Sequence, residues 1–179
     1  MTEPMENHPS LSKHVVEFLL VAKEYVSFSE TPQHFQQSNY IDTCLKLFSM
    51  LYLKALFLPD PDEKEKPDEY GLEFVNAMQY ERIKANFEQQ LGEADAIVPF
   101  RDAGMINTDD YVNTSISELL ADVYQDVANF VEAFRIGEPQ LMDEARVKCS
   151  LNFKLFWGPR LIVVLDQLHR FKYIENNNN

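Results

Sequence analysis

The apolar residues of this sequence repeat at spacings of three and four in every long hydrophobic segment, and no segment alternates strictly over the length of a strand. Residues spaced in this way share one face of an α-helix, whereas a half-buried strand requires a period of two. The 179 residues include five glycines, fewer than the many turns of a sandwich or barrel require. We therefore predict an all-α protein, a single-domain antiparallel bundle of five or six helices over residues 1–179.

Prolines and capping residues predict the ends of the first three helices. The first helix is expected over about 10–30. The second, over 31–58, begins with a threonine and a proline and is the most apolar, so we expect it at the centre of the bundle. The third, over 76–92, opens at Asn76 with capping-box spacing and has a narrow apolar stripe. We expect it to be peripheral.

The second half of the chain is predicted to hold two or three further helices. A fourth helix runs from Ser115, again with capping-box spacing, to Gly137, and a fifth begins at Pro139. The tripeptide Trp-Gly-Pro at 157–159 then interrupts the apolar period, and the sequence leaves open whether 139–174 is one kinked helix or two. A straight helix would place these residues inward: Leu141, Ala145, Cys149, Asn152 and Phe156.

Four segments lack a helical period. We expect a flexible N-terminus at 1–9, an exposed connector at 59–75 rich in proline and charge, and a disordered tail at 175–179. The stretch 93–114 is predicted to be a long loop. Its length indicates either a packed functional loop or a short element that the pattern does not reveal.

The charge distribution limits the possible partners. A net charge of −13 repels a polyanion, so we expect no nucleic-acid partner. Residues 91–134 carry nine acidic residues and one basic residue, which is either a docking face for a basic protein or a solvated face beside the basic C-terminal segment.

The apolar segments predict the location of the protein. The N-terminal residues form no apolar leader, and no apolar run reaches the roughly 20 residues of a bilayer span. Cys44 and Cys149 lie far apart on apolar stretches, which favours buried free thiols over a disulfide. We expect a cytoplasmic protein without membrane contact, and a monomer or homodimer.

Three carboxylates, Glu118, Asp122 and Asp126, step by four residues along one edge of the fourth helix. They could bind a divalent ion if another helix supplied ligands, or they could pair with Arg or Lys of the basic C-terminal helices. His169 follows Asp166 at a spacing of three. This pair is either a general base oriented by a carboxylate or an ordinary histidine near a helix end. A metal-dependent or small-molecule hydrolase would use Asp122, Asp126 and His169 as its catalytic residues.

Three further residues are candidates for a pocket. Asn152 lies in a core stripe, where an amide either joins helices through hydrogen bonds or contacts a ligand. Trp157 is a packing anchor at the interruption or, with Tyr124, a pocket wall. The sequence has no Gly-x-Ser-x-Gly motif, so a serine nucleophile of that kind has no support. It also has no glycine-rich phosphate loop, and we predict no cofactor.

Several strings of the sequence resemble a family of uncharacterised Bacteroides-type bacterial proteins catalogued as a domain of unknown function. The resemblance spans most of the chain and implies an all-helical single domain, with no functional residue carried over. Because the residues give little evidence for an enzyme, we expect a non-enzymatic protein-interaction or regulatory domain that binds through its acidic face or the 93–114 loop. The hydrolase is the alternative. The strings are LADVYQDV at 120–127, FWG at 156–158 with Leu165, Leu168 and His169, and LYLKAL at 51–56.

Overall fold

A computed structural model describes residues 11–31, 36–62, 73–101 and 111–175. Within these ranges it contains six α-helices, and one hydrophobic cluster includes buried side chains from all of them. The prediction of a single-domain, mainly helical protein is confirmed. The helices are α1 (Lys13–Glu30), α2 (Gln37–Ala55), α3 (Ala77–Leu91), α4 (Ile116–Ile136), α5 (Pro139–Asn152) and α6 (Gly158–Arg170).

Several expectations lie outside the described residues. These are the N-terminus at 1–9, the proline start of the second helix at position 32, the middle of the connector, residues 102–110 of the predicted 93–114 loop and the end of the tail. Within the described part, α2 begins later and ends earlier than predicted, at Gln37 and Ala55.

Two short strands correct the prediction of a long loop over 93–114. β1 (Ile97–Phe100) pairs antiparallel with β2 (Val112–Ser115), and Phe100 lies opposite Val112. Each strand has four residues, which is too few for a period of two to stand out from the neighbouring sequence. Of the two alternatives for this stretch, the structure therefore shows the short element that the pattern does not reveal.

The helix at the centre of the bundle is α4 and not α2, so the prediction of a central second helix is wrong. α4 packs against α1, α3, α5 and α6, and it buries eleven side chains whereas α2 buries six. The reason is that apolar content does not determine burial. Met50 and Leu53 of α2 are apolar and exposed, because in the described residues no element covers their side of the helix.

Local capping is as the sequence predicts. The Asn76 side chain accepts a hydrogen bond from the Gln79 amide at 2.9 Å, and the Ser115 hydroxyl accepts one from the Glu118 amide at 3.2 Å. Gly137 ends α4 in the left-handed conformation, with φ of +76°. The bonds of Asn76 and Ser115 satisfy amide groups that a helix leaves unpaired at its first turn.

The backbone from Pro139 to Glu175 is helical throughout, so this segment is one continuous helix with a change of winding. Residues Phe153–Trp157 form a π-helical turn, in which the Gly158 amide donates to the Phe153 carbonyl oxygen. The wider turn takes up one extra residue and rotates the following side chains. Phe153 is consequently buried and Phe156 exposed, which corrects the predicted inward position of Phe156.

Both cysteines are buried and free, as predicted. Burial in apolar surroundings raises the pKa of each thiol above its usual value, so neither is a reactive thiolate at neutral pH. No helix in the described ranges combines the length and the apolarity needed to cross a bilayer.

Candidate functional site

Each carboxylate on the acidic edge of α4 has a partner inside the protein. Glu118 binds Lys84 of α3, with Oε2 and Nζ 3.0 Å apart. Asp122 accepts a hydrogen bond from the Tyr80 hydroxyl at 2.7 Å and one from Nε of Arg160 at 2.9 Å. This second contact is the predicted pairing of the edge with a basic residue of the C-terminal helix.

The Arg160 guanidinium joins α6 to two other elements. It binds the Asp122 carboxylate and lies over the ring of Phe100 in β1, with its central carbon 4.9 Å from the ring centroid. Its Nη1 also donates to the carbonyl of Phe156. With these contacts satisfied, Asp122 and Arg160 hold α4, α6 and the sheet together.

Asp126 is paired with an amide instead of a base. Nδ2 of Asn152 donates to its carboxylate at 2.6 Å, so Asn152 joins α5 to α4, which is the interhelical role considered for it. Burial raises the pKa of Asp126 above the usual 3.8, and the bond from Asn152 opposes that rise. A small recess beside Asp126 is lined in part by Lys148 and Cys149.

We expect Asp126→Asn to retain the fold and to be at least as stable as the wild type at pH 7. Because the folded state raises the pKa of Asp126, the stabilisation from its proton is full below pH 3.8 and is lost as pH rises through the folded pKa. Urea unfolding from pH 3 to 8 should therefore show the wild type losing stability relative to Asp126→Asn as pH rises.

The matched control for this prediction is Asn152→Ala. It leaves the partly buried carboxylate of Asp126 without its donor and should cost about 1–3 kcal/mol at pH 7. A wild type that gains stability over Asp126→Asn as pH rises would contradict the burial argument.

The described contacts of His169 do not include any carboxylate of the acidic edge of α4. It is exposed and packs against the ring of Tyr173, with centroids 4.8 Å apart. Asp166 pairs with Arg170 at 2.8 Å. His169 follows Arg160 by nine residues, about 13 Å along the helix. Within the described residues, no group of three or more His, Cys, Asp and Glu side chains could hold a metal ion.

Trp157 lies in the core. It is fully buried, its Nε1 donates to the carbonyl of Cys149 at 3.1 Å, and its ring contacts Phe18 and Phe153. Of the two roles considered for Trp157, these contacts fit the packing anchor.

Tyr124 lies at a polar cavity of about 270 Å³ between α1, α3 and α4. Its hydroxyl donates to Glu30 at 2.6 Å and accepts from the Gln79 side chain at 2.7 Å. Burial, and then the Glu30 carboxylate, raise the pKa of Tyr124, so the phenol stays protonated. The cavity therefore presents hydrogen-bonding groups that already satisfy one another.

A wide concave surface lies between α1 and α2, and the sequence analysis did not predict it. This α1–α2 groove has a volume of about 620 Å³, and five of its ten lining side chains are apolar. Glu24 and Lys46 are the two charged side chains of the lining. Leu20 is 61% exposed and Met50 48% exposed. The signal in the sequence was that α1 and α2 carry more apolar residues than one buried stripe needs. The lining is Leu20, Val21, Glu24, Ser27, Phe28, Thr31, Thr43, Lys46, Leu47 and Met50.

Further exposed apolar residues extend this surface toward the start of α1. Val16 lies one turn before Leu20, and Leu53 and Phe57 lie beyond Met50. The ring of Phe57 stacks on His14, with centroids 5.5 Å apart. An ion pair between Glu17 and Lys54, at 2.8 Å, links the two helices nearby. Exposed apolar side chains therefore occur along much of the length of both helices, interspersed with charged pairs.

Comparisons with known proteins identify a family and a similar structure. A family described as "Domain of unknown function (DUF5063)" matches residues 9–174. The crystal structure of protein BF1032 from Bacteroides fragilis is similar, with 32% sequence identity and a TM-score of 0.76. The match covers 93% of this chain and 97% of that one. The comparison with curated proteins found no match.

Proposed function

Because the chain belongs to the DUF5063 family, a domain of unknown function, we propose its function from its surfaces: it is a non-enzymatic protein-interaction domain that binds through the α1–α2 groove. The observation that carries this proposal is the exposure of large apolar side chains side by side on two helices. Contiguous apolar surface of this kind marks interaction sites, because leaving it in water is unfavourable.

The groove supports protein binding better than the two surfaces expected from sequence. The side chains of Glu118 and Asp122 are engaged with Lys84 and Arg160, and a basic partner would have to compete with those ion pairs. The β1–β2 sheet does expose Ile97, but each of its strands has four residues. α1 and α2 instead offer 18 and 19 residues of rigid helix.

The hydrolase alternative has weaker support from the same geometry. Asp122 and Asp126 are each held by a hydrogen-bonding partner, and His169 contacts Tyr173 on the exposed side of α6. A general base and a metal-binding carboxylate must reach one substrate, which requires the two side chains to face a shared cavity.

Site-specific photo-crosslinking tests the proposed surface. A benzophenone amino acid at Leu20 should form a protein adduct in cells, because this position lies in the groove. The same amino acid at Met78 of α3, which is 83% exposed, is the matched control and should form none. Adding Met50→Glu should abolish the Leu20 adduct, since a carboxylate in the apolar lining disfavours binding.

Two results would reject the groove as the binding surface. One is the absence of any adduct at Leu20, and the other is an identical set of adducts at Leu20 and Met78. Circular dichroism of each variant shows that the helices are intact.

A further inference from the structure

We propose that the occupant of the α1–α2 groove is the same groove of a second copy of this chain. The two copies form a homodimer whose twofold axis runs parallel to α1 and α2. This inference rests on the proposed function, because it names the partner of that surface.

The contacts between α1 and α2 establish which residues lie level with one another. His14 stacks on Phe57 at one end of the pair, and the ring of Phe28 stacks on that of Tyr40 at the other, with centroids 5.1 Å apart. The two helices are therefore antiparallel. Between these ends, Glu24 and Lys46 line the groove from opposite sides.

A twofold axis parallel to the helices makes the charges of this face complementary to themselves. Such an axis places α1 of one copy over α2 of the other at the same height. Leu20 then faces Met50 of the second copy, and Glu24 faces Lys46. The symmetry repeats each contact, so the apolar centre is flanked by two crossed pairs of opposite charge. Lys46 also contacts Asp42 on its own helix at 2.5 Å. The Lys46 side chain is exposed, and Asp42 keeps its ion pair with Lys172 when Lys46 turns away, so this contact can rearrange at little cost.

The net charge of the chain favours this face for contact between two copies. Two molecules of charge −13 repel each other, and the repulsion is smallest where the facing surfaces carry no net charge. The groove contains one acid and one base, and the nearby Glu17–Lys54 pair is also neutral.

Charge reversal tests the crossed pairs. Sedimentation velocity over about a hundredfold range of concentration gives the dimer dissociation constant. Glu24→Lys and Lys46→Glu should each weaken the dimer about tenfold or more, because each puts like charges opposite one another in both pairs. Glu88→Lys is the matched control, since it makes the same charge change at an exposed position of α3. Glu24→Lys reduces the net negative charge, so general repulsion cannot explain a weaker dimer.

An equimolar mixture of the two single variants is the decisive sample. Each variant alone is weakened, whereas the mixed dimer has opposite charges in both crossed pairs and should return to near wild-type affinity. A wild-type chain that stays monomeric at every concentration overturns the homodimer, as does a mixture that remains dissociated or an equal effect of Glu24→Lys and Glu88→Lys. The crosslink at Leu20 then decides separately whether the groove binds a different protein.

Discussion

Replacing Trp157 with alanine should lower the free energy of unfolding by about 3–5 kcal/mol, the usual cost of removing a buried tryptophan. The side chain is fully buried and packs against Phe18 of α1 and Phe153 at the start of its own π-helical turn. Removing the side chain reduces the buried apolar surface, leaves a cavity, and breaks the hydrogen bond from Nε1 to the Cys149 carbonyl. Urea unfolding followed by circular dichroism measures the loss.

Phe156→Ala is the matched control for this prediction. Phe156 precedes Trp157 in the chain but is 42% exposed, so its truncation should cost less than about 1 kcal/mol. A regular helix through this segment would place Phe156 inward. A larger cost at Phe156 than at Trp157 would therefore contradict the π-helical turn.

Replacing Gly158 with alanine should destabilise the protein by about 1–3 kcal/mol, the usual cost of forcing an extra group into a packed site. In an ordinary helix this substitution stabilises by about 1 kcal/mol. Here an added Cβ would lie 2.2 Å from the Phe153 carbonyl oxygen, a backbone atom that cannot rotate away. The clash arises because the π-helical turn directs that oxygen at Gly158.

Gly137→Ala separates the clash from the general effect of a lost glycine. At Gly137 a Cβ meets nothing closer than 4.0 Å, and the cost comes from the positive φ alone, about 1 kcal/mol. Gly158→Ala should be the more damaging variant by urea midpoint at equal m-value. If Gly158→Ala raises the midpoint, the segment is a regular helix and the π-helical turn is not formed.

Within the candidate site, the sequence predicted the relative positions of residues on a single helix but not the partners that other helices supply. The four-residue spacing of Glu118, Asp122 and Asp126 correctly puts them on one edge of α4, since helical geometry is local. The partner of each carboxylate depends on which helix packs there. Asp122 meets a basic residue of the C-terminal helix as expected, whereas Asp126 meets Asn152.

The sequence by itself determined the fold class, the capped ends of α3 and α4, and the burial of the two cysteines. These follow from apolar periodicity and from side chains that bond to backbone three residues away, and both are properties of short segments. The π-helical turn, the central position of α4, the β1–β2 pairing and the α1–α2 groove were decided by the tertiary structure. A hydrophobic pattern shows which side chains favour burial, but only the packed fold shows which faces find a covering partner.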